Sequence, residues 1–161
     1  MTYCVLPLCS EEVRKQIADE EIVRSILFYG PDGCGKASMA QAAASMANAL
    51  FINMSPTLLA NKFQDPVEAT KLVHMIFAVA KDPSYAPVII YLDECERIFA
   101  KKKDQSSEFI QFLKDLILYK NQGLTRENRV ILIGCTSKPE LADYNSLMWK
   151  GNIGKPAKQG M

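Results

Sequence analysis

The chain has 161 residues, 48% of them hydrophobic, which is enough for one substantial core and so for a single domain rather than two. Nineteen Lys plus Arg against eighteen Asp plus Glu leave a net charge of +1, so nothing in the balance calls for nucleic acid or an anionic membrane as partner. No apolar run approaches the roughly 18 residues that span a bilayer and the N-terminus lacks a secretory layout, so a soluble intracellular chain is expected.

Residues 1–21 read as a lead-in: "YCVLPL" is extended, and Ser10 can cap a short helix over "EEVRKQIADE". "IVRSILFYG" is an apolar run of strand length that ends in glycine. Ala-rich "KASMAQAAASMANA" predicts a helix and "LFINMS" a second strand. Asp65 as N-cap, Pro66 at the first helical position and Glu68 at the third open another helix. Its apolar residues Ala69, Leu72, Val73, Ile76, Phe77 and Ala80 share one face. "APVIIYLDE" predicts a third strand, "SSEFIQFLKDLILYK" a helix and "RVILIGCTS" a fourth strand. Residues 22–149 thus form the predicted α/β domain. Residues 150–161 mix Gly, Lys and Pro without periodicity and are expected as a loose tail, or as a place where a larger protein continues.

Strands that alternate with helices and are apolar on both faces imply a parallel sheet with helices on each side. Ligands of such sheets sit beyond the C-terminal strand ends. Three segments meet that condition: the glycine loop after the first strand, "DE" after the third and "TS" after the fourth.

In "LFYGPDGCGKASM", Gly30, Gly35 and Lys36 satisfy G-x-x-x-x-G-K between a predicted strand and a predicted helix, the context that a phosphate-binding loop requires. Gly30, Pro31, Asp32, Gly33, Cys34 and Gly35 would turn backbone N–H groups toward phosphate oxygens, and Lys36 would reach the β- and γ-phosphates. The next position ordinarily supplies a hydroxyl to Mg²⁺, and Ala37 has none. Ser38 follows, but one residue turns a helix by about 100°, away from the metal. Water would fill the vacant coordination position.

In "VIIYLDECE", Asp93 and Glu94 close a buried apolar strand, as in a Walker B segment. Asp93 would hold the Mg²⁺ shell, through water, and Glu94 would polarise the attacking water as general base. A cap for the following helix is the plainer reading of such a pair; the glycine loop some 60 residues earlier favours the site. In "CTSKPE", Thr136 or Ser137 would face the γ-phosphate or the lytic water.

The succession "SILFYGPDGCGK", "LFINMSPTLLANKF", "VHMIFAVAK", "PVIIYLDECERIF" and "VILIGCTSKPE" resembles the large α/β subdomain of AAA ATPases over roughly residues 22–140. The microtubule-associated branch with katanin and spastin is similar. The lead-in "LPLCSEEVR", the "INMSP" stretch and the lost hydroxyl look most like the IQ-motif and AAA-domain subunits of the nexin–dynein regulatory complex of cilia. The resemblance makes Lys36 the Walker A lysine, Asp93 and Glu94 the Walker B pair, and Ser137 the occupant of the sensor 1 asparagine position, where serine reaches the γ-phosphate poorly. Phe63 matches a pore-loop aromatic, but "KFQD" lacks the glycine that usually follows, so substrate threading is not expected. The family's arginine fingers and small helical lid are not among these residues; Arg126 and Arg129 precede the sensor strand, out of place as fingers. Fingers contribute about 10³ to 10⁵ in rate in related NTPases.

The resemblance therefore implies a P-loop, AAA-type domain without the lid, holding ATP or ADP with Mg²⁺ and hydrolysing weakly or not at all. It implies a structural or regulatory role in a ciliary axonemal complex of the cytoskeleton, with other axonemal or dynein regulatory complex proteins and the microtubule as candidate partners, and no hexamer from this chain alone. The alternative is an active ATPase that remodels or severs microtubules as a hexamer. The five cysteines are unpaired in spacing and His74 is the only histidine, so reduced cytosolic thiols and no metal cluster are expected. Cys34, inside the loop, is either an activated thiol or a passive small side chain. "AKKKD" at 100–104 is either a solvated helix end or a contact for an acidic surface. Tyr144 and Trp149 would pack the last strand or belong to an interface.

Overall fold

The computed structural model describes residues 2–8, 10–16, 23–58, 65–100, 108–125 and 127–143. Phe63, Arg126, Tyr144, Trp149, most of the lysine run and the C-terminal tail lie outside the described residues. Two short helices, α1 (Thr2–Val5) and α2 (Glu11–Lys15), precede the sheet. Four strands follow, β1 (Ser25–Tyr29), β2 (Leu50–Asn53), β3 (Val88–Leu92) and β4 (Val130–Thr136), all parallel and in the order β1-β4-β3-β2. Parallel neighbours need long crossovers. Here α3 (Lys36–Ala47), α4 (Pro66–Lys81) and α5 (Glu108–Gln122) supply them.

The central strands β3 and β4 are buried along their whole length, as their unbroken apolar runs predict. Val88, Ile90, Leu92, Val130 and Leu132 point to the face covered by α4 and α5, through Ala69, Val73, Phe77 and Ala80 and through Leu113 and Ile117. Ile89, Tyr91, Ile131, Ile133 and Cys135 point to the opposite face, covered by Ala40, Ala43 and Ala44 of α3 and by Cys4 and Leu8. β1 and β2, though apolar in sequence, are only half-buried. Each has one strand neighbour, so its outer side meets less of the covering layers.

The lead-in departs from its predicted extended form. Thr2–Val5 is helical and Leu6–Leu8 forms a 3-10 turn. A turn of helix puts Cys4 and Leu8 on one side, where both are buried against the sheet. Arg129, just before β4, donates from Nε to the Leu8 carbonyl at 2.9 Å and so ties the lead-in to the sheet. Ser10 stands at the N-cap of α2, but its side chain makes no capping bond. The cap at α4 forms as predicted: Asp65 Oδ1 accepts from Val67 N at 3.0 Å, with Pro66 at the first helical position.

Candidate nucleotide-binding site

The helix after β1 lies on one face and those after β2 and β3 on the other, so the connections diverge and leave a crevice beyond the strand ends. A cavity of ≈ 790 Å³ occupies it, walled on one side by the glycine loop and the start of α3 and on the other by the ends of β2, β3 and β4.

Gly33 and Gly35 have φ of 78° and 88°, the left-handed region in which a side chain is strained. Gly30 is confined differently: a Cβ there would stand 3.0 Å from Cys34 Sγ. Gly35 is the N-cap of α3 and no side chain caps the helix. The first helical bond runs from Met39 N to Gly35 O at 2.9 Å, so the amides of Lys36, Ala37 and Ser38 precede the ladder. All three residues line the cavity. The loop therefore offers N–H groups and the positive end of a helix dipole, a cradle fitted to phosphate.

Lys36 Nζ donates to the carbonyls of Gly30 at 2.8 Å and Pro31 at 2.9 Å. Among the described residues no carboxylate forms an ion pair with it. Its charge is thus solvated by dipoles but not neutralised, which suits an anionic ligand.

The opposite wall is acidic. Asp93 N donates to Ser55 Oγ at 2.9 Å, Ser55 Oγ donates to Asn53 Oδ1 at 2.6 Å, and Asp93 Oδ1 accepts from Glu94 N at 2.9 Å. This chain of bonds sets the carboxylate of Asp93 at the end of β3. Tyr91, beneath it, packs on Phe51 with ring centroids 5.3 Å apart. Burial pushes the Tyr91 phenol up, with the Cys135 thiol and Asp93 adding to the effect, so the cavity floor is a neutral phenol. Glu94 adopts φ 46°, ψ 45° and caps the 3-10 turn Cys95–Arg97.

Magnesium binds through one or two carboxylates together with phosphate oxygens and water. Asp93 supplies such a carboxylate across the cavity from the loop, Ala37 supplies no oxygen, and no group of three or more metal-binding side chains occurs among the described residues. The donor set fits a metal held jointly with a nucleotide, with one protein ligand fewer than a hydroxyl at position 37 would give.

Of the residues expected at the site, Asp32, Gly33, Gly35, Lys36, Ala37, Ser38, Asp93, Glu94 and Ser137 line the cavity. Gly30 and Pro31 do not, and act through their carbonyls on Lys36. Of Thr136 and Ser137, Thr136 is buried and its Oγ1 accepts from Lys138 N at 3.0 Å, while Ser137 lines the cavity. Arg129 is engaged at the Leu8 carbonyl, away from the cavity lining. Sequence reasoning missed Asn53, Ser55, Arg97 and Lys138. The signal for the first two was present, since "INMS" ends a strand at the same sheet edge as the other three segments.

Cys34, expected at the site, is exposed within the loop and does not line the cavity, whereas Cys4, Cys95 and Cys135 are buried. Burial pushes the Cys95 thiol up to about 12 and that of Cys135 to about 11. Of these four, Cys34 is expected to be alkylated first, and more slowly with nucleotide bound; mass spectrometry after iodoacetamide pulses reads the order. Earlier labelling of Cys95 or Cys135 would contradict the packing described here. No helix among the described residues is long and apolar enough to cross a membrane.

Residues 26–151 match the sequence profile of the ATPase family associated with various cellular activities (AAA). The chain is 37% identical over 142 residues to the proteasome-activating nucleotidase of Thermococcus kodakarensis, covering 86% of this chain and 34% of that protein. It is 31% identical over 158 residues to spastin of Ixodes scapularis, covering 87% of this chain and 24% of that protein. It is 35% identical over 122 residues to fidgetin-like protein 1 of Drosophila melanogaster, covering 74% and 23% respectively. The chain thus spans about a quarter to a third of the length of these relatives.

Proposed function

Since the chain belongs to the AAA family of ATPases, we propose that it is a domain that binds ATP or ADP at the crevice of its sheet and turns the triphosphate over weakly or not at all. The observation that carries this reading is the pairing, in one cavity, of a glycine loop and Lys36 with Ala37, which has no hydroxyl to offer a metal. In this reading the loop amides and Lys36 bind and orient the phosphates, and Asp93 holds the metal's water shell. Glu94 takes the proton of the attacking water, and Ser137 contacts the terminal phosphate with a short reach. Bound Mg²⁺ would supply positive charge against the phosphate oxygens. Each residue contributes position or charge, and the reading places the deficit at the metal.

The setting we propose is a structural or regulatory role in a ciliary axonemal complex, among dynein regulatory complex proteins and the microtubule. Its support is the likeness of "LPLCSEEVR", "INMSP" and the missing hydroxyl to subunits of that complex. A second reading, an active hexameric ATPase that remodels microtubules, is favoured by the intact Lys36, Asp93 and Glu94 and by the likeness to spastin.

Calorimetric titration with ATP and ADP, with and without Mg²⁺, separates the two. In the weak-turnover reading Mg²⁺ changes the affinity of the unaltered chain by less than about threefold. Ala37→Thr, by returning one oxygen to a charged centre, raises that dependence to about tenfold. A strong Mg²⁺ dependence already present with Ala37 would favour the active enzyme.

A further inference from the structure

Resting on the nucleotide-binding reading, we propose that Tyr91 is a positioning residue for the metal side of the cavity: its phenol hydroxyl donates to the Asp93 carboxylate when nucleotide and Mg²⁺ are bound together. Tyr91 belongs to β3, is 3% exposed and lines the cavity. Its Oη is buried and makes no hydrogen bond. Buried polar groups nearly always have a partner, so a donor left without one at the wall of a ligand cavity points to a partner that the ligand brings into place.

Asp93 is the acceptor that the surroundings offer. Besides burial, the Cys135 thiol and the Asp93 carboxylate disfavour the ionised phenol, which makes them its near polar neighbours. A thiol sulfur is a weak acceptor and a carboxylate a strong one. Asp93 Oδ1 accepts from Glu94 N at 2.9 Å and Asp93 N is tied to Ser55 Oγ at 2.9 Å, while Oδ2 accepts no bond among the described residues. Each carboxylate oxygen has two lone pairs, so Asp93 can accept from Tyr91 and still face a metal.

The bond matters because of Ala37. With no hydroxyl at that position, the hold on Mg²⁺ from the protein rests on how firmly Asp93 is oriented. Mg²⁺ also cancels phosphate charge that Lys36 would otherwise meet, so its net effect on affinity is a balance that a loosened Asp93 tips toward loss. Outer-shell bonds that fix a ligating group change metal affinity by about 10- to 100-fold. Tyr91 is suited to act through orientation alone, since its ring is packed on Phe51 with centroids 5.3 Å apart. Removing only its hydroxyl leaves that packing in place.

The test uses the full chain and the ratio of ADP affinities with and without Mg²⁺, read by calorimetry. Tyr91→Phe is expected to lower that ratio by about tenfold, so that Mg²⁺ then weakens binding, while affinity without Mg²⁺ stays within about twofold of the parent. Asp93→Ala lowers the ratio at least as far, and adding Tyr91→Phe to it changes nothing more, because the hydroxyl acts through that carboxylate. The Tyr91→Phe chain melts no lower than the parent, since it loses only an unmet buried donor. In protein labelled at the tyrosine ¹³Cζ, the Tyr91 signal moves with ADP and Mg²⁺ and stays in place with ADP and a chelator. A ratio unmoved by Tyr91→Phe, a full further loss in the Asp93→Ala background, a melt well below the parent, or a ¹³Cζ signal indifferent to Mg²⁺ overturns the proposal. The failures are distinguishable: ADP binding with an unmoved ratio defeats the role of Tyr91 alone, and absence of binding to the parent defeats the nucleotide reading beneath it.

Discussion

Lys36→Ala is expected to weaken ATP and ADP binding by about 10- to 100-fold while leaving the melting temperature nearly unmoved. The ammonium is the one cation of the loop, held by the Gly30 and Pro31 carbonyls and by no carboxylate among the described residues. A hydrogen bond to a charged group is worth about 1.5–3 kcal/mol, which converts to that span of affinity. Stability should hold because Pro31 and the loop residues 32–35 are exposed, so water replaces the lost donor. Calorimetry reads the binding and a thermal melt the fold. Binding of both nucleotides at parental strength would remove Lys36 from the site. A collapsed melt would mean that the loop is part of the core, against its exposure.

The largest expected effect on stability is at Phe77, on the face of the sheet away from the loop. Phe77 is 1% exposed within the cluster that joins α4 and α5 to β3 and β4. Phe77→Ala removes a buried ring and leaves a cavity, at a cost of about 3–5 kcal/mol. Against a typical total of about 5–15 kcal/mol, that is about a fifth or more of the stability. Urea unfolding at unchanged slope measures it, with Phe112→Ala as comparison, since Phe112 is 43% exposed and should cost far less. Saturating nucleotide should stabilise both variants by the same increment as the parent, because the ligand acts through the native state alone. Equal losses at the two phenylalanines would contradict the core described here.

Nucleotide affinity and fold stability are thus expected to separate by face. The α3 face carries the loop close to the strand ends because Ala40, Ala43 and Ala44 are small enough for the helix backbone to approach the sheet. The α4 and α5 face carries the large side chains.

What the sequence determined by itself is what short-range physics determines. G-x-x-x-x-G-K between a strand and a helix reads as a phosphate loop because its glycines, its lysine and the helix start lie within seven residues of one another, from Gly30 to Lys36. The Asp65 cap depends on residues adjacent in the chain, and the unbroken apolar runs of β3 and β4 announce their burial. Tertiary structure decided the rest. Strand order left β1 and β2 half-buried although their composition matched the centre. Cys4 and Leu8 turned helical because helical spacing lets both reach the sheet, an advantage that no local propensity records. Asn53 and Ser55 became site residues through a bond to Asp93 across 38 positions of chain. Ser137 and not Thr136 lines the cavity, Thr136 being buried with its hydroxyl bonded to Lys138 N. Glu94 and Arg97 are near neighbours in sequence, yet their pairing depends on the left-handed turn that the end of β3 imposes.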